Sequence, residues 1–414
     1  MAKKPHEISQ GTVQLDLSPE ALLQFQQELQ TELQHILQWW IDRMPDQDAG
    51  GFFGLIDGYN QLHEQADKAL ILHTRLLWTF SEASRLHFQE TYLAMADRAY
   101  AFLMQFFWDH GEGGFYWTLS RWGEVIEPKK QIYGQAFAIY ALAAYYRVSG
   151  KKEALERAFE VYWLIEKYSQ DKKDGGYWEA FTRDWGPMAD MRLSEKDANS
   201  AKTMNTHLHI LEAYATLYEV SGEQYVADSL QALVETFLNR IIGSDKSHMR
   251  LFFDPKWKVE VADISYGHDI EAAWLLGEAV ALLPDPSLRK KVEEWAVLIA
   301  RKTYQEGQDV DGGLVDHANA SGWTKTHKDW WPQVEAMVGF HYAYELSQDE
   351  AFLHAMLRAW NFIKEKIKDP LSGEWLWGID ERGLPDRSKE IAGPWKTPYH
   401  NGRALMELLR RGRS

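Results

Sequence analysis

The sequence predicts an all-α protein in which six helix pairs close into an α/α toroid with short β-hairpins at one end. Two observations lead to this fold class. A Gly-Gly pair recurs beside large or apolar residues at intervals of roughly 60 residues. The segments between the pairs have the apolar periodicity of helices. The third and fourth pairs are far enough apart for two units, so six units fit the chain, and an open solenoid of the same helix pairs is the alternative.

The Gly-Gly pairs mark the hairpins. The clear copies are GGFFG, GGFYW, GGYWEA and GGLVDH, which begin at Gly50, Gly113, Gly175 and Gly312. Two degenerate copies are SHMRLFFD around Arg250 and SGEWLWG around Gly373. Glycine reaches turn conformations that other residues resist, so each copy predicts a tight turn.

Helices are predicted wherever apolar residues recur at i, i+3, i+4 and i+7. This pattern occupies residues 21–44, 68–86, 133–150, 204–222, 268–283 and 331–346. Gly150, Gly222 and Pro284 stand where helices of these lengths end. Each unit has room for two helices of about 15–20 residues and one hairpin. The acidic segment 189–202 is the largest irregular stretch. Because each unit packs on its neighbours, we expect a single domain over residues 1–414.

Composition limits the partners and the chemistry. A net charge of −16 disfavours nucleic acids and anionic membranes, since both are polyanions. No apolar stretch has the length of a transmembrane helix, and the N-terminus has no secretory h-region. The chain has no cysteine, which excludes disulfides, thiolate metal sites and a cysteine nucleophile and is compatible with a cytoplasmic location. Its 19 Trp, 19 Tyr and 18 Phe provide flat faces for packing or for ligand stacking.

Unusual polar residues lie at or near the start of the second helix of each unit. They are Arg75, Tyr133, Gln135, Asn205, His268, Glu335 and His400. In a closed toroid the starts of these helices meet at one mouth, so we expect one site there.

Two of these helix starts carry histidines with polar neighbours. In MNTHLHILEAY, Asn205 and His209 are four residues apart and share a helix face, while His207 points elsewhere. A hydrogen-bonded core histidine is the alternative interpretation, and a metal site is disfavoured because no carboxylate has the usual ligand spacing. In YGHDIEAAWLL, Glu271 lies one turn after His268 and can fix its tautomer, with Trp274 on the same side. The alternative there is an ordinary helix start with acidic residues near the positive end of the dipole.

The last two motifs add aromatic residues. DWWPQVEAMVGF places Trp331 and Glu335 around Pro332, and its indoles either pack in the core or stack on a sugar ring. WKTPYHNGRALMELL places Trp395 and His400 before the last helix. Two imidazoles on opposite sides of a carbon beside a carbonyl can remove a proton from one face and return it to the other, which is epimerisation. The chain has neither a P-loop nor a G-x-G-x-x-G motif, and no cofactor is required.

At MNTHLHILEAY, GHDIEAAWLL, WWPQVEA and PYHNGR the chain resembles the N-acylglucosamine 2-epimerase superfamily, most of all its cellobiose 2-epimerases. The likeness runs over nearly the whole chain, from ILHTRLLWTFSEA to His400. It implies an (α/α)6 barrel and reversible epimerisation at C2 of a reducing-end glucose unit to mannose through an enediolate.

The resemblance also implies a role for each site residue. His268 and His400 match the general acid/base pair at C2, and His209 matches a residue that assists ring opening. Arg75 and Asn205 match residues that hold the substrate oxygens and the intermediate, and Glu271 matches a carboxylate that supports the base. Trp331, Glu335 and Trp395 match sugar-contacting positions, while Tyr133 and Asp197 match more peripheral ones. A small sugar is the expected partner, bound by a monomer or a homodimer.

Departures from the family pattern concern the size of the substrate. Asp329 stands before WWPQ where the cellobiose enzymes commonly have histidine, and Leu314, Val315 and Asp316 stand where they tend to carry aromatics. Trp323 lies in the same loop. Epimerisation or isomerisation of free glucose, mannose or fructose is therefore the close alternative. Glycoside hydrolysis by Glu271 and Glu335 and non-catalytic sugar binding are the more distant ones.

Overall fold

The structure is a computed structural model that describes residues 15–195, 197–243, 248–319 and 322–412. Twelve α-helices lie within these ranges. They are α1 Pro19–Arg43, α2 Leu70–Leu86, α3 Glu90–Phe102, α4 Ile132–Ser149, α5 Lys152–Leu164, α6 Met204–Ser221, α7 Gln224–Thr236, α8 Tyr266–Ala281, α9 Pro286–Lys302, α10 Trp330–Ser347, α11 Glu350–Phe362 and α12 Tyr399–Arg411. The six segments with helical periodicity correspond to α1, α2, α4, α6, α8 and α10. None of the described helices is both long enough and apolar enough to cross a membrane.

The even-numbered helices form a closed inner ring. Each packs against the next, from α2 through α4, α6, α8 and α10 to α12, and α12 packs against α2. The odd-numbered helices lie outside, and α1 covers α12. The predicted toroid is confirmed, and the open solenoid is wrong because the first and last units touch.

Short strands join neighbouring units at one end of the ring. The strands are β1 Lys68–Ala69, β2 Thr118–Leu119, β3 Val125–Glu127, β4 Lys130–Gln131, β5 Ala180–Phe181, β6 Lys202–Thr203, β7 Phe252–Phe253, β8 Ile264–Ser265, β9 His317–Asn319, β10 Gly322–Lys325, β11 Lys328–Asp329 and β12 Gly378–Ile379. All pairings are antiparallel, in the orders β1-β2-β3, β4-β5, β6-β7, β10-β9-β8 and β11-β12. The strand before an inner helix thus pairs with the hairpin of the following unit, and a bridge between Ile56 and Ala392 joins the first unit to the last.

Buried ion pairs anchor the hairpins to the inner helices. In five units a lysine just before the inner helix contacts an acidic residue of its own hairpin. The pairs are Lys68–Asp46, Lys130–Asp109, Lys202–Asp171, Lys328–Asp309 and Lys396–Glu374, at 2.6–3.3 Å. In the fourth unit Ile264 occupies the lysine position. There His248 lies between Asp269 and Glu306 instead, at 2.7 and 2.9 Å.

A second contact repeats in the first turn of the inner helices. A side chain there accepts a hydrogen bond from the backbone N–H that follows the Gly-Gly pair or, in the fourth unit, from the N–H of Met249 in the degenerate copy. The accepting residues are His73, Gln135, His207, Asp269 and Gln333. A Cβ on Gly176 would lie 2.7 Å from the Nε2 atom of His207, and Gly176 has a φ of +78°. The second glycine is therefore required both for its conformation and for this close approach.

The outer helices end in a feature that the periodicity did not predict. Five of them, α3, α5, α7, α9 and α11, finish in five-residue π-helical turns, which are Leu103–Phe107, Ile165–Ser169, Phe237–Ile241, Thr303–Gly307 and Ile363–Ile367. Each turn leads directly into the bridge that opens the hairpin. The repeated π turn therefore sets the angle at which the chain enters the mouth of the toroid.

Candidate active site

A cavity of about 400 Å³ opens at the hairpin end of the inner ring. Its walls are formed by Arg75, Tyr133, Leu193, Ser194, Glu195, Asp197, Asn205, His209, His268, Glu271, Trp330, Trp331, Trp377, Trp395 and His400. All the predicted site residues line it except Gln135, Trp274 and Glu335. The expected convergence of the helix starts is therefore present.

The inner helices place side chains in layers. Each inner helix contributes one residue to a ring of side chains that we call the axial ring. This residue lies seven positions after the buried lysine, or after Ile264 in the fourth unit. The members of the axial ring are Arg75, Phe137, His209, Glu271, Glu335 and Arg403, and all six are buried. Neighbours in the ring touch: Phe137 lies 4.7 Å from the Arg75 guanidinium and 4.6 Å from the His209 ring.

His400 is oriented by the carboxylates of this ring. Its Nδ1 lies 2.7 Å from Glu335 Oε1 and 4.0 Å from Glu271 Oε1. An anionic Glu335 accepts a hydrogen bond from Nδ1–H, which leaves Nε2 as the basic nitrogen of His400. Trp274 Nε1 donates to the other Glu335 oxygen at 3.1 Å. Glu335 and Trp274 thus lie beneath the cavity and support His400, and neither belongs to the cavity wall.

His268 has a different partner from the one that the sequence suggested. Its Nδ1 lies 2.8 Å from Ser265 Oγ, whereas Glu271 accepts a hydrogen bond from Arg403 at 2.5 Å. A hydroxyl can donate or accept, so it permits either tautomer of His268, in contrast to the carboxylate beside His400. The Trp331 ring lies between the two histidines, 4.7 Å from His268 and 5.6 Å from His400 between centroids.

Arg403 holds the carboxylates together. Its guanidinium donates to Glu271 and Glu335 at 2.5 and 2.7 Å and also to Glu212. Glu212 in turn lies 3.1 Å from His209 Nδ1 and accepts from Tyr399 at 2.7 Å. One buried cation therefore links the supports of His209 and His400.

Arg75, the other arginine of the axial ring, is fixed by uncharged partners. It donates to the Trp395 carbonyl at 3.0 Å and to the Tyr133 hydroxyl at 2.8 Å, and its guanidinium lies over the Phe137 ring. Asn205 lines the same cavity, and its buried Oδ1 accepts no hydrogen bond within the described residues. Leaving such an acceptor unpaired costs about 1–3 kcal/mol, which a bound hydroxyl group would offset.

Burial controls the protonation of these groups. It lowers the pKa of His268 to about 3, and together with the charges of Arg75 and Arg403 it lowers the pKa of His400 well below 6.5. Burial and the neighbouring Glu335 raise the pKa of Glu271 to about 7. For Glu212, burial is outweighed by Arg403, and the pKa falls to about 2. Both histidines are therefore neutral at pH 7 and able to accept a proton.

The irregular segment 189–202 forms one wall, with Lys196 outside the described residues. Leu193, Ser194, Glu195 and Asp197 of this segment line the cavity. Asp197 Oδ2 accepts from the backbone N–H and the hydroxyl of Ser194 at 2.9 and 2.8 Å, so this carboxylate also organises its own loop.

Sequence reasoning missed several residues of the site. The sequence pattern leaves Trp330 open between core and site and gives no signal for Trp377, yet both line the cavity. Glu212 and Arg403 were also missed, although each lies three residues after a histidine that was identified. Trp323 was expected near the site, but its indole donates to the Glu306 carbonyl at 2.7 Å and does not line the cavity.

Two groups of potential metal ligands occur among the described residues. Glu271, Glu335 and His400 have ligand atoms within 4.8 Å of one another, but Arg403 already donates to both carboxylates. The positive charge that these carboxylates require is thus supplied by the chain. Asp316, His327 and Asp329 form the second group, in which His327 Nε2 lies 2.8 Å from Asp316.

A helical toroid whose axial cavity combines imidazoles, carboxylates and indole rings has the features of an enzyme that acts on sugars. Comparison with known proteins agrees with this class. The family model described as N-acylglucosamine 2-epimerase matches residues 51–404. A cellobiose 2-epimerase of Bacteroides fragilis is 44% identical over 385 residues, which cover 92% of this chain and 98% of the relative.

Solved structures are similar over the same length. The cellobiose 2-epimerase of Bacillus thermoamylovorans superposes with a TM-score of 0.89 at 37% identity, covering 94% of this chain and 100% of the other. A D-mannose isomerase gives a TM-score of 0.81 at 20% identity, covering 93% and 97%, which shows the shared fold alone. The chain belongs to the N-acylglucosamine 2-epimerase family, a family of carbohydrate epimerases.

Proposed function

We propose that this protein catalyses reversible C2 epimerisation of the reducing-end glucose unit of cellobiose-type sugars to mannose. The observation that carries the proposal is the pair of neutral imidazoles, His268 and His400, which line one cavity with the Trp331 indole between them. The cellobiose 2-epimerases that resemble the chain over nearly its full length support the same activity.

The reaction needs an open-chain aldehyde, because the C2 proton is acidic only beside a carbonyl. His209 is placed to assist ring opening, since its Nδ1 is held by Glu212 and its ring lines the cavity. One of the pair His268 and His400 then removes the C2 proton, and the bonding electrons form the C1–C2 double bond of an enediolate. The other imidazole takes up a proton from solvent and donates it to the opposite face of C2, which inverts this carbon, and the first imidazole releases the removed proton to solvent.

Negative charge develops on the substrate oxygens during proton removal. Arg75 stabilises it, because the guanidinium is fixed in advance by the Trp395 carbonyl and the Tyr133 hydroxyl. The indoles of Trp331, Trp377 and Trp395 provide apolar faces for a sugar ring in the same cavity.

The test is NMR of purified protein with cellobiose in D2O, followed by the same experiment with glucose and with mannose. Appearance of the mannose epimer with deuterium at C2 is the expected result for cellobiose. Cellobiose that gains no C2 deuterium refutes the mechanism. Turnover of the free monosaccharides alone would assign the protein to the monosaccharide epimerases or isomerases.

We infer further that the protein acts in the cytoplasm as a monomer or a homodimer, binds neither nucleic acid nor membrane, and folds as a single domain over residues 1–414. Its net charge of −16 and lack of cysteine support the first inferences, and the closed ring of units supports the last. Cell fractionation, light scattering and a single cooperative unfolding transition are the corresponding measurements.

A further inference from the structure

Four ionisable side chains form a cluster beside the mouth of the cavity, which we call the rim cluster. Its members are Asp316, His317, His327 and Asp329. Asp316 is buried, and its Oδ2 lies 2.9 Å from His317 Nδ1 and 2.8 Å from His327 Nε2. Asp329 Oδ1 lies 3.9 Å from the same His327 nitrogen. Both aspartates stand at positions where this chain departs from the pattern of the cellobiose enzymes.

The rim cluster connects the two elements that surround His268. His317 in β9 is paired in register with Ser265 in β8, and Ser265 Oγ lies 2.8 Å from His268 Nδ1. Asp329 is the last residue before α10, whose second residue, Trp331, packs on the His268 ring at 4.7 Å. The hydrogen-bond partner and the packing partner of His268 are thus both adjacent to the cluster.

None of the four residues lines the 400 Å³ cavity that holds the other site residues. The rim cluster therefore does not contact a sugar unit bound in that cavity. The cluster instead acts on His268 through position and through charge: Asp316 favours the protonated imidazole, whereas His317 and His209 oppose it.

We propose that the rim cluster is a positioning unit for His268, in which Asp316 ties β9, the strand paired with β8, to the His327 segment that leads into α10 and supplies the negative charge that supports His268 when it carries the substrate proton. The inference rests on the proposed function, because it assigns His268 one half of the proton transfer. The groups that face Asp316 are His317, His327 and Asp329, and those that face His268 are Ser265, His209 and His317.

The test is Asp316→Asn, which keeps the size of the side chain and removes its charge, with Asp380→Asn as the matched control. Asp380 is an aspartate of the sixth hairpin that accepts hydrogen bonds from Arg382 and is not part of the cavity wall. We expect kcat for epimerisation to fall by about tenfold in Asp316→Asn. KM should change little because the cavity wall is intact, and the control should match the wild type.

Two readouts separate positioning from general loosening of the structure. Without the anion, protonated His268 is less stable, so the acid limb of the kcat/KM profile should move to lower pH. In D2O, the epimer whose C2 proton faces His400 should still exchange that proton for deuterium, while its inversion slows. The exchange-to-inversion ratio should therefore rise about tenfold for one epimer only. Asp316→Glu should restore part of the rate.

The positioning role is overturned if the pH profile of kcat/KM does not move and if exchange and inversion fall equally for both epimers. A wild-type protein that produces neither the epimer nor C2 deuterium overturns the proposed function instead. A shift caused by Asp380→Asn of the same size as that of Asp316→Asn also overturns the inference, because the effect would then not be specific to the rim cluster.

Discussion

Replacing Glu335 by glutamine tests the link between the buried carboxylates and the reaction. The variant keeps the shape of the side chain and leaves an amide in place of the carboxylate that accepts from His400 Nδ1 at 2.7 Å and from Arg403 at 2.7 Å. His400 then loses both the partner that fixes its tautomer and the anion that stabilises its protonated form. Arg403 keeps Glu212 and Glu271, so the buried cation remains paired.

The expected size follows from these contacts. A hydrogen bond that involves a charged group contributes about 1.5–3 kcal/mol. If the Glu335–His400 interaction is stronger in the transition state by that amount, kcat falls by about 10- to 100-fold, since 1.4 kcal/mol corresponds to a factor of ten. KM should change much less, because Glu335 does not line the cavity. The kinetic pKa of His400 should fall, which moves the acid limb of kcat/KM to lower pH.

The assay is steady-state epimerisation of cellobiose between pH 5 and 9 together with urea unfolding. Glu32→Gln is the matched control, because Glu32 is also a buried glutamate that accepts from an indole, Trp375 Nε1 at 2.6 Å, and from a cation, Lys368. Both variants should lose stability, and only Glu335→Gln should lose kcat. Full kcat in Glu335→Gln, or an equal loss in the control, would refute the reasoning.

Three further predictions concern the scaffold and the anchoring of Arg75. Between pH 8 and pH 5 the wild type should lose about 2 kcal/mol of unfolding free energy through His207, and His207→Gln should abolish that loss. In the wild type, burial lowers the pKa of His207 from 6.5 to about 4, so on acidification only the unfolded state takes up the proton. Urea unfolding at both pH values measures this loss, and the same loss in the variant as in the wild type would contradict the prediction. Gly175→Ala and Gly176→Ala should both incur the cost of a positive φ, about 1–2 kcal/mol. Only Gly176→Ala adds a clash with the His207 ring, so thermal melts that show equal losses would exclude the close approach as a cause. Tyr133→Phe should lower kcat/KM by about tenfold, because Arg75 loses a hydrogen bond of 2.8 Å, and an unchanged kcat/KM would show that this bond does not orient Arg75.

The period and the helix starts were predictable from sequence because both depend on local residue types. Gly-Gly pairs mark the turns, and apolar periodicity marks the helices. These two patterns together predict the toroid, and the toroid brings Arg75, Asn205 and the histidines to one mouth. The partners of the histidines were not predictable. Glu271 is one turn from His268 in the chain, yet it contacts Arg403, which is 132 residues away. Such pairings depend on how the ring closes, which a single-unit pattern does not specify.

The axial ring shows how a repeated scaffold can hold an unequal site. Six equivalent positions are buried, so a charge at one of them needs a counter-charge within reach. Glu271 and Glu335 occupy adjacent positions and share the single guanidinium of Arg403. Arg403 and Arg75 are also adjacent, and the Tyr399 ring lies between them, 4.5 and 4.9 Å from the two guanidiniums.

This arrangement polarises the cavity. Glu335 accepts a hydrogen bond from His400, whereas Arg75 is held by two neutral groups, the Trp395 carbonyl and the Tyr133 hydroxyl. An imidazolium is stabilised beside carboxylates, and an oxyanion is stabilised beside a guanidinium. Proton removal by His400 creates both charges at once, each next to the group of opposite sign. Reversing the charge at either end, by Glu335→Lys or Arg75→Glu, should therefore abolish turnover, whereas the neutral Glu335→Gln should only slow it.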